Sequence, residues 1–431
     1  MSAFSVTEIA DLGLETRAAL FQRDAGIDAA RNDAREIVER VREEGDVAVR
    51  EYCREFDGVD VGNLEITDQC ERAVEDLSGD VRDAINTAIE NVREFHEAQL
   101  PEDWRREFDD GRELGRRFRP LERVGVYVPG GTAAYPSSAV MGVVPAVVAG
   151  VEHVSVVTPP AEEINPVTLA AIHLAGADAV YSVGGAQAVA ALAYGTESVT
   201  SVQKVVGPGN RWVTAAKAEV RDEVEIDFLA GPSEVVVVAD ETADPNYVAS
   251  ELLAQAEHDP NASVVAVTDD EATAEAVVDA LEESLPERER EETIREALEN
   301  DASAVLLARS MSEAILFTEE YAPEHLAIVA DDDESILERV DSVGSVFLGP
   351  NTPVAAGDYA SGTNHVLPTN GGAKVAGGLS VEHFLRATTV QRLSGDGLAE
   401  LAPAITTLAD AEGLEAHAES VRVRLDDRDD E

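Results

Sequence analysis

Lysine is nearly missing from this chain. Only Lys204, Lys217 and Lys374 occur in 431 residues, and arginine supplies the rest of the positive charge. No basic run or face stands out that a phosphate backbone would seek, so nucleic acid is excluded as an expected partner. Cysteine is as scarce. Cys53 and Cys70 are the only two, with no CxxC pair, which argues against both a disulfide framework and a thiolate zinc site. No apolar run approaches the roughly 18 residues of a membrane span. The start, MSAFSVTEIADLG, lacks the basic and apolar segments of a signal peptide. Neither GxGxxG nor GxxxxGK occurs, so a nucleotide would be held otherwise than by the common fingerprints. The expectation is a soluble, cytoplasmic protein.

What the chain has in excess is carboxylate. Its formal net charge is −53, spread along the whole length. At low salt such a surface repels itself, whereas molar salt screens charges to within about 3 Å. A salt-rich cytoplasm, that of an extreme halophile, is the expected setting. With 44% apolar residues the chain reads as globular rather than disordered. Its length exceeds one ordinary core, so two domains or more are expected.

Residues 1–100 read as acidic helices, with periodic apolar positions such as Ile37, Val38, Val41, Val47 and Val49. Trp104 to Arg119 is a charged loop or an edge hairpin. Short β-rich runs then appear at 124–128, 153–158, 179–183, 202–206 and 224–229, and again at 235–239, 263–268, 304–307, 326–329 and 344–348. Alanine-rich helical pieces separate them. This alternation predicts an α/β fold: two Rossmann-like domains with mainly parallel sheets, plus small helical N- and C-terminal segments.

Glycine stands where several strands should end, at Val128-Pro129-Gly130-Gly131-Thr132, Val183-Gly184-Gly185-Ala186-Gln187 and Val206-Gly207-Pro208-Gly209-Asn210. Tight βα turns need glycine in any case. Three such turns in one domain also suit a crevice for phosphate or pyrophosphate, since glycine lets the backbone approach and frees amides at a helix start. Tyr127, Gln187 and Asn210 sit beside these turns, placed to bond ribose or amide groups.

Gln255 and His258, in ELLAQAEHD, are one helical turn apart and share a face. That pairing suits metal ligands or plain solvated surface. Glu324-His325 precedes a predicted strand. Histidine titrates near neutrality and a carboxylate can activate water, yet Glu–His adjacency recurs at Glu152-His153, Glu257-His258 and Glu382-His383 because glutamate is so common, and by itself the Glu324-His325 pair reads as surface. Residues 357–369, GDYASGTNHVLPT, form a long polar loop without charge runs, and long loops are more often functional than idle. Glu412 and His417 lie in the predicted helical tail.

Together GVYVPGGT, GGAQAVAAL, VGPGN, AGPSE, LLAQAEHD, APEHL, GDYASGTNHVLPT and EGLEAH, in this order from about Val124 to His417, strongly resemble the histidinol dehydrogenase family. The resemblance implies oxidation of L-histidinol to L-histidine through an aldehyde, with two NAD molecules reduced in turn. It implies one zinc ion per subunit, held by Gln255, His258, Asp358 and His417, and Glu324 and His325 as the proton-transfer pair. Substrate contacts would fall on Ser233, Gln255, His258, His325, Asp358, Glu412 and His417, and NAD contacts on Tyr127, Gln187 and Asn210. It further implies a homodimer in which the C-terminal tail reaches the neighbour's site. The corresponding division is an N-terminal helical segment at 1–23 and a first α/β domain at 24–126 and 236–378 carrying the metal and catalytic residues. A second α/β domain at 127–235 takes NAD, and 379–431 is the helical tail.

Two imidazoles, a carboxylate and an amide oxygen make a donor set that zinc accepts, as would manganese or cobalt. Cys53 and Cys70 fall outside every motif, so a hydrated aldehyde is expected in place of a thiohemiacetal. Two rival readings are a metal-dependent hydrolase, which leaves the glycine turns without a task, and a non-catalytic nucleotide- or metal-binding protein, which leaves Glu324-His325 and the bare loop unexplained.

Overall fold

The strand Glu234–Ala239, EVVVVA, is buried at every residue, and so is Ser263–Thr268, SVVAVT. Unbroken runs of β-branched residues belong in the middle of a parallel sheet covered on both faces. The computed structural model describes residues 5–23, 26–130 and 134–429, and it places these two strands side by side in a six-stranded sheet. The order across that sheet is Val6–Glu8, Ala304–Leu307, Ser263–Thr268, Glu234–Ala239, His325–Val329, Ser345–Leu348. Every neighbouring pair is parallel. The chain builds outward from Glu234–Ala239 to one side, then returns to add His325–Val329 and Ser345–Leu348 on the other.

A second parallel sheet has five strands, in the order Ala179–Ser182, His153–Thr158, Arg123–Tyr127, Lys204–Val206, Glu225–Ile226. It too starts at its centre and reverses direction, here between Arg123–Tyr127 and Lys204–Val206. The acidic helices at 27–97 are amphipathic. Ile27–Glu44 buries Ala30, Ala34, Ile37, Val38 and Val41 along one stripe and turns its carboxylates outward. That stripe shares one core with Val189, Leu192, Val205 and Val213 of the five-stranded sheet and its helices. The division that goes with the resemblance groups 24–126 with 236–378; the stripe of Ile27–Glu44 packs against the other sheet, and an apolar stripe by itself does not say which surface will cover it.

The chain divides into two compact units: residues up to Gln99 with Leu121–Phe384, which hold both parallel sheets, and Leu100–Pro120 with the chain from Leu385 onward. In the second unit, Trp104–Glu107 and Arg112–Pro120 form the edge hairpin foreseen as one option, and Leu385–Leu393 pairs antiparallel along the whole of Arg112–Pro120. Helices Gly395–Ala411 and Glu415–Asp429 complete it. The helical reading of 379–431 therefore fails over Leu385–Leu393, where ATTV carries the β-branched residues that favour a strand. The reading of 1–23 as helical also misses Val6–Glu8, which adds a three-residue edge to the six-stranded sheet. No helix among the described residues is long and apolar enough to cross a membrane.

Candidate functional site

Glu324 ends the turn into the strand His325–Val329, and His325 is its first residue. Both are buried, at 6% and 4% exposure, so this Glu–His pair differs from the surface reading that its abundance suggested. The ring of His325 is held from two sides. Its Nδ1 donates to the carbonyl of Glu234 at 3.1 Å and lies 3.5 Å from Glu324 Oε2. Its Nε2 stands 3.4 Å from Asp358 Oδ1 and has no hydrogen-bond partner. Burial alone would lower the imidazole pKa, but the carboxylates of Glu324 and Asp358 outweigh it and hold the ring well above its ordinary range. Burial pushes the Asp358 carboxyl up, and the positive field of His325, with His365 and His258 adding to it, pulls it below the usual carboxylate value.

Asp358 lies in a short helix, Val354–Tyr359, so the polar loop foreseen at 357–369 starts one helical turn later than its composition suggested. The backbone N–H of Val354 donates to Glu251 at 3.0 Å, which ties this helix to Pro245–Ala256, the helix carrying Gln255. Gln255 is buried in the last turn of that helix. His258 follows just beyond, its N–H donating to the Gln255 carbonyl at 3.2 Å and its side chain exposed. The loop is pinned at Asn364, which donates to the Met141 carbonyl at 2.8 Å. His365 Nδ1 donates back to the Asp358 carbonyl at 2.9 Å. Ser233, half-buried, directly precedes Glu234. No group of three or more His, Cys, Asp or Glu set to hold a metal occurs among the described residues; within this unit the donors are one imidazole, one carboxylate and one amide. Glu412 and His417 belong to the second unit and are exposed, at the junction of its two helices.

The three nucleotide-side residues cluster at carboxyl ends of the five-stranded sheet. Tyr127 ends the central strand, and the Gly185 N–H donates to its hydroxyl at 3.1 Å. Burial pushes that phenol up to about 12, with Gly185 pulling the other way. Gln187 is 1% exposed and its Oε1 has no hydrogen-bond partner, the condition of a buried group that a ligand would satisfy. Asn210 caps helix Arg211–Glu219, its Oδ1 accepting from Trp212 and Val213 at 3.1 Å each, so its amide nitrogen is the end left to meet a ligand. Tyr127 and Asn210 follow the two strands between which the order reverses, which is where open α/β sheets take nucleotides; Gln187 follows the edge strand Ala179–Ser182, whose turn is tied to Tyr127 through the Gly185 N–H. Of the first glycine turn, Gly131 and Thr132 lie outside the described residues.

Sequence reading did not single out Glu234, Glu251 or His365, although each contacts or electrically biases the Glu324–His325–Asp358 group, nor Arg23, which pairs with Glu234. Glu234 was visible inside AGPSE, but among so many carboxylates its burial was not.

Comparison with known proteins identifies the family. A family model described as histidinol dehydrogenase matches residues 21–425. The histidinol dehydrogenase of Natronomonas pharaonis is 71% identical over 98% of this chain and 100% of its own length. That of Haloarcula marismortui is 70% identical over the same shares. The crystal structure of histidinol dehydrogenase from Elizabethkingia anophelis superposes with a TM-score of 0.94 at 35% identity, covering 100% of this chain and 99% of that one. With a matching family model over most of its length and relatives this near, the chain is an oxidoreductase and belongs to the histidinol dehydrogenase family.

Proposed function

We propose that this protein oxidises L-histidinol to L-histidine through the aldehyde, with NAD as the acceptor. The observation that carries the reading is the state of His325. Its Nδ1 is committed to the Glu234 carbonyl while Nε2 is buried, unpartnered and 3.4 Å from Asp358, which leaves one ring nitrogen to exchange a proton with substrate. In the resting site the two carboxylates hold the ring above its ordinary range. Once a ligand engages the Asp358 charge, that field weakens and His325 becomes a competent base for the substrate hydroxyl. Glu324 then draws a proton from the water that adds to the aldehyde. NAD, when bound beside Tyr127, Gln187 and Asn210, accepts a hydride at each oxidation.

Gln255, His258 and Asp358 would hold a zinc ion together with the partner's His417. Their nitrogen and oxygen atoms suit that metal, and the field of His258 already reaches Asp358. Zinc bound there supplies a fixed positive point that orients the amine and imidazole of the substrate. Ser233 and the partner's Glu412 would complete the substrate contacts, within a homodimer whose tails are exchanged. The exposure of Glu412 and His417 supports that role for the tail. The thiols support an aldehyde hydrate over a thiohemiacetal: Cys53 and Cys70 are fully buried, and burial pushes each up to about 12.

The test is NADH formation from NAD and L-histidinol in molar salt, with and without a chelator. Formation that needs both substrate and metal supports the reading. Ester or amide cleavage without reduction would replace it with a metal-dependent hydrolase, and tight NAD binding without turnover would replace it with a binding protein.

A further inference from the structure

The main chain of Glu234 grips both proposed catalytic side chains. Its N–H donates to Glu324 Oε2 at 2.8 Å, and its carbonyl accepts from His325 Nδ1 at 3.1 Å. Any residue at this place could offer those two groups. What is particular is the side chain, a carboxylate with no exposure at all. It pairs with the equally buried guanidinium of Arg23, Nη1 to Oε2 at 2.5 Å, and its Oε1 accepts the Asn370 N–H at 2.6 Å.

Arg23 in turn donates through Nη2 to the Tyr321 carbonyl at 2.7 Å and lies 3.9 Å over the Tyr321 ring. Tyr321 is the last residue of helix Met311–Tyr321, three positions before Glu324. Asn370 lies at the far end of the loop that follows the Asp358 helix, and the neighbouring Thr369 hydroxyl accepts the Gly231 N–H at 2.6 Å. One buried ion pair thus joins the start of strand Glu234–Ala239, the turn leading to Glu324 and His325, and the far end of the Asp358 loop. Two charges placed in the interior are an expensive way to fill space, and apolar side chains would fill it at lower cost.

We infer that the buried Arg23–Glu234 pair is a positioning device that sets the orientation of Glu324 and His325 for the two oxidations. Neither member touches substrate; each acts through the peptide groups it holds. The inference rests on the function proposed above.

Stability and positioning separate by a double-variant design. Removing one member, Arg23→Met or Glu234→Gln, strands the other and lowers the melting temperature; removing both leaves no stranded charge and restores most of it. Steady-state turnover of L-histidinol and of L-histidinal is measured on the folded protein in molar salt. A positioning role predicts that kcat for both substrates stays down about tenfold to a hundredfold in the restored double variant. KM for substrate and NAD would hold within about threefold. Recovery of kcat along with stability would overturn the inference, as would a rise in KM at unchanged kcat. Should the double variant not fold, Glu234→Asp keeps the charge and shortens the arm, and unchanged kcat there would overturn it equally. Wild-type protein that fails to oxidise histidinol would remove the underlying reading instead, a result visible before any variant is made.

Discussion

His325 owes its readiness to a division of labour between its two ring nitrogens: one is tied to a carbonyl, and the other faces a carboxylate with no hydrogen-bond partner. Asparagine at 325 keeps a donor for the Glu234 carbonyl but supplies no base. His325→Asn should therefore cut histidinol turnover by about a hundredfold to ten-thousandfold with metal content unchanged; a rate near wild type would refute the base role. Glu324→Gln keeps the hydrogen bond from Glu234 yet cannot take a proton from water. It should slow histidinal oxidation more than the first oxidation followed alone, and an equal loss in both would count against water activation. A third residue reports on pH. Burial pushes the Asp57 carboxyl up to about 6 from 3.8. Between those values the native state keeps a proton that the unfolded chain has shed, so this group's contribution to stability is full below about 3.8 and is lost as pH rises through 6. Asp57→Asn should erase that component. Relative to wild type, its melting temperature should improve between pH 4.5 and 6.5, and a difference that stays flat would show the shift to be absent.

The turns of the five-stranded sheet are the elements on which the proposed NAD recognition rests. Gly207 has a φ of +107° and sits so close to the central strand that a Cβ would fall 2.2 Å from the Tyr127 carbonyl oxygen. Its peptide is clamped from below: the N–H donates to Asp227 at 2.7 Å, the carbonyl accepts from Lys217 at 2.7 Å, and Lys217 and Asp227 pair in the interior. Two of the features sequence reading noticed separately, a glycine turn and one of the rare lysines, are therefore one device that presents Asn210. Gly207→Ala introduces strain of order 1–3 kcal/mol against the Tyr127 backbone, three residues before Asn210. It should raise KM for NAD roughly tenfold while leaving KM for histidinol unchanged, as steady-state kinetics with each substrate varied in turn will show. The strand Leu385–Leu393 illustrates the opposite case. Its Thr388, Thr389 and Val390 favour a strand, but it is exposed along most of its length and so lacks the unbroken apolar run that marked the buried strands.

At the scale of the molecule, charge governs conditions and burial governs architecture. Diluting salt from 1 M to 0.1 M lengthens the screening distance from about 3 to about 10 Å, enough for the carboxylates behind the net charge of −53 to repel across the surface. The melting temperature should fall by on the order of 5–10 °C at constant pH, and a melt indifferent to salt would sink the halophilic reading. The parallel sheets were legible because valine-rich apolar runs, as in EVVVVA and SVVAVT, have few other places to go. Two of the glycine turns were legible because Gly185 and Gly207 hold positive φ, a backbone that favours glycine. What the order of residues alone determined, then, was the α/β class, most strand positions and the short list of chemical side chains. Tertiary structure decided which Glu–His pair is buried, which sheet the acidic helices cover, and that Glu234 and Arg23 stand behind the proposed site. Those depend on which distant segments exclude water from a given carboxylate, and in a chain with 86 acidic residues local sequence looks much the same around a buried one as around the many that face solvent.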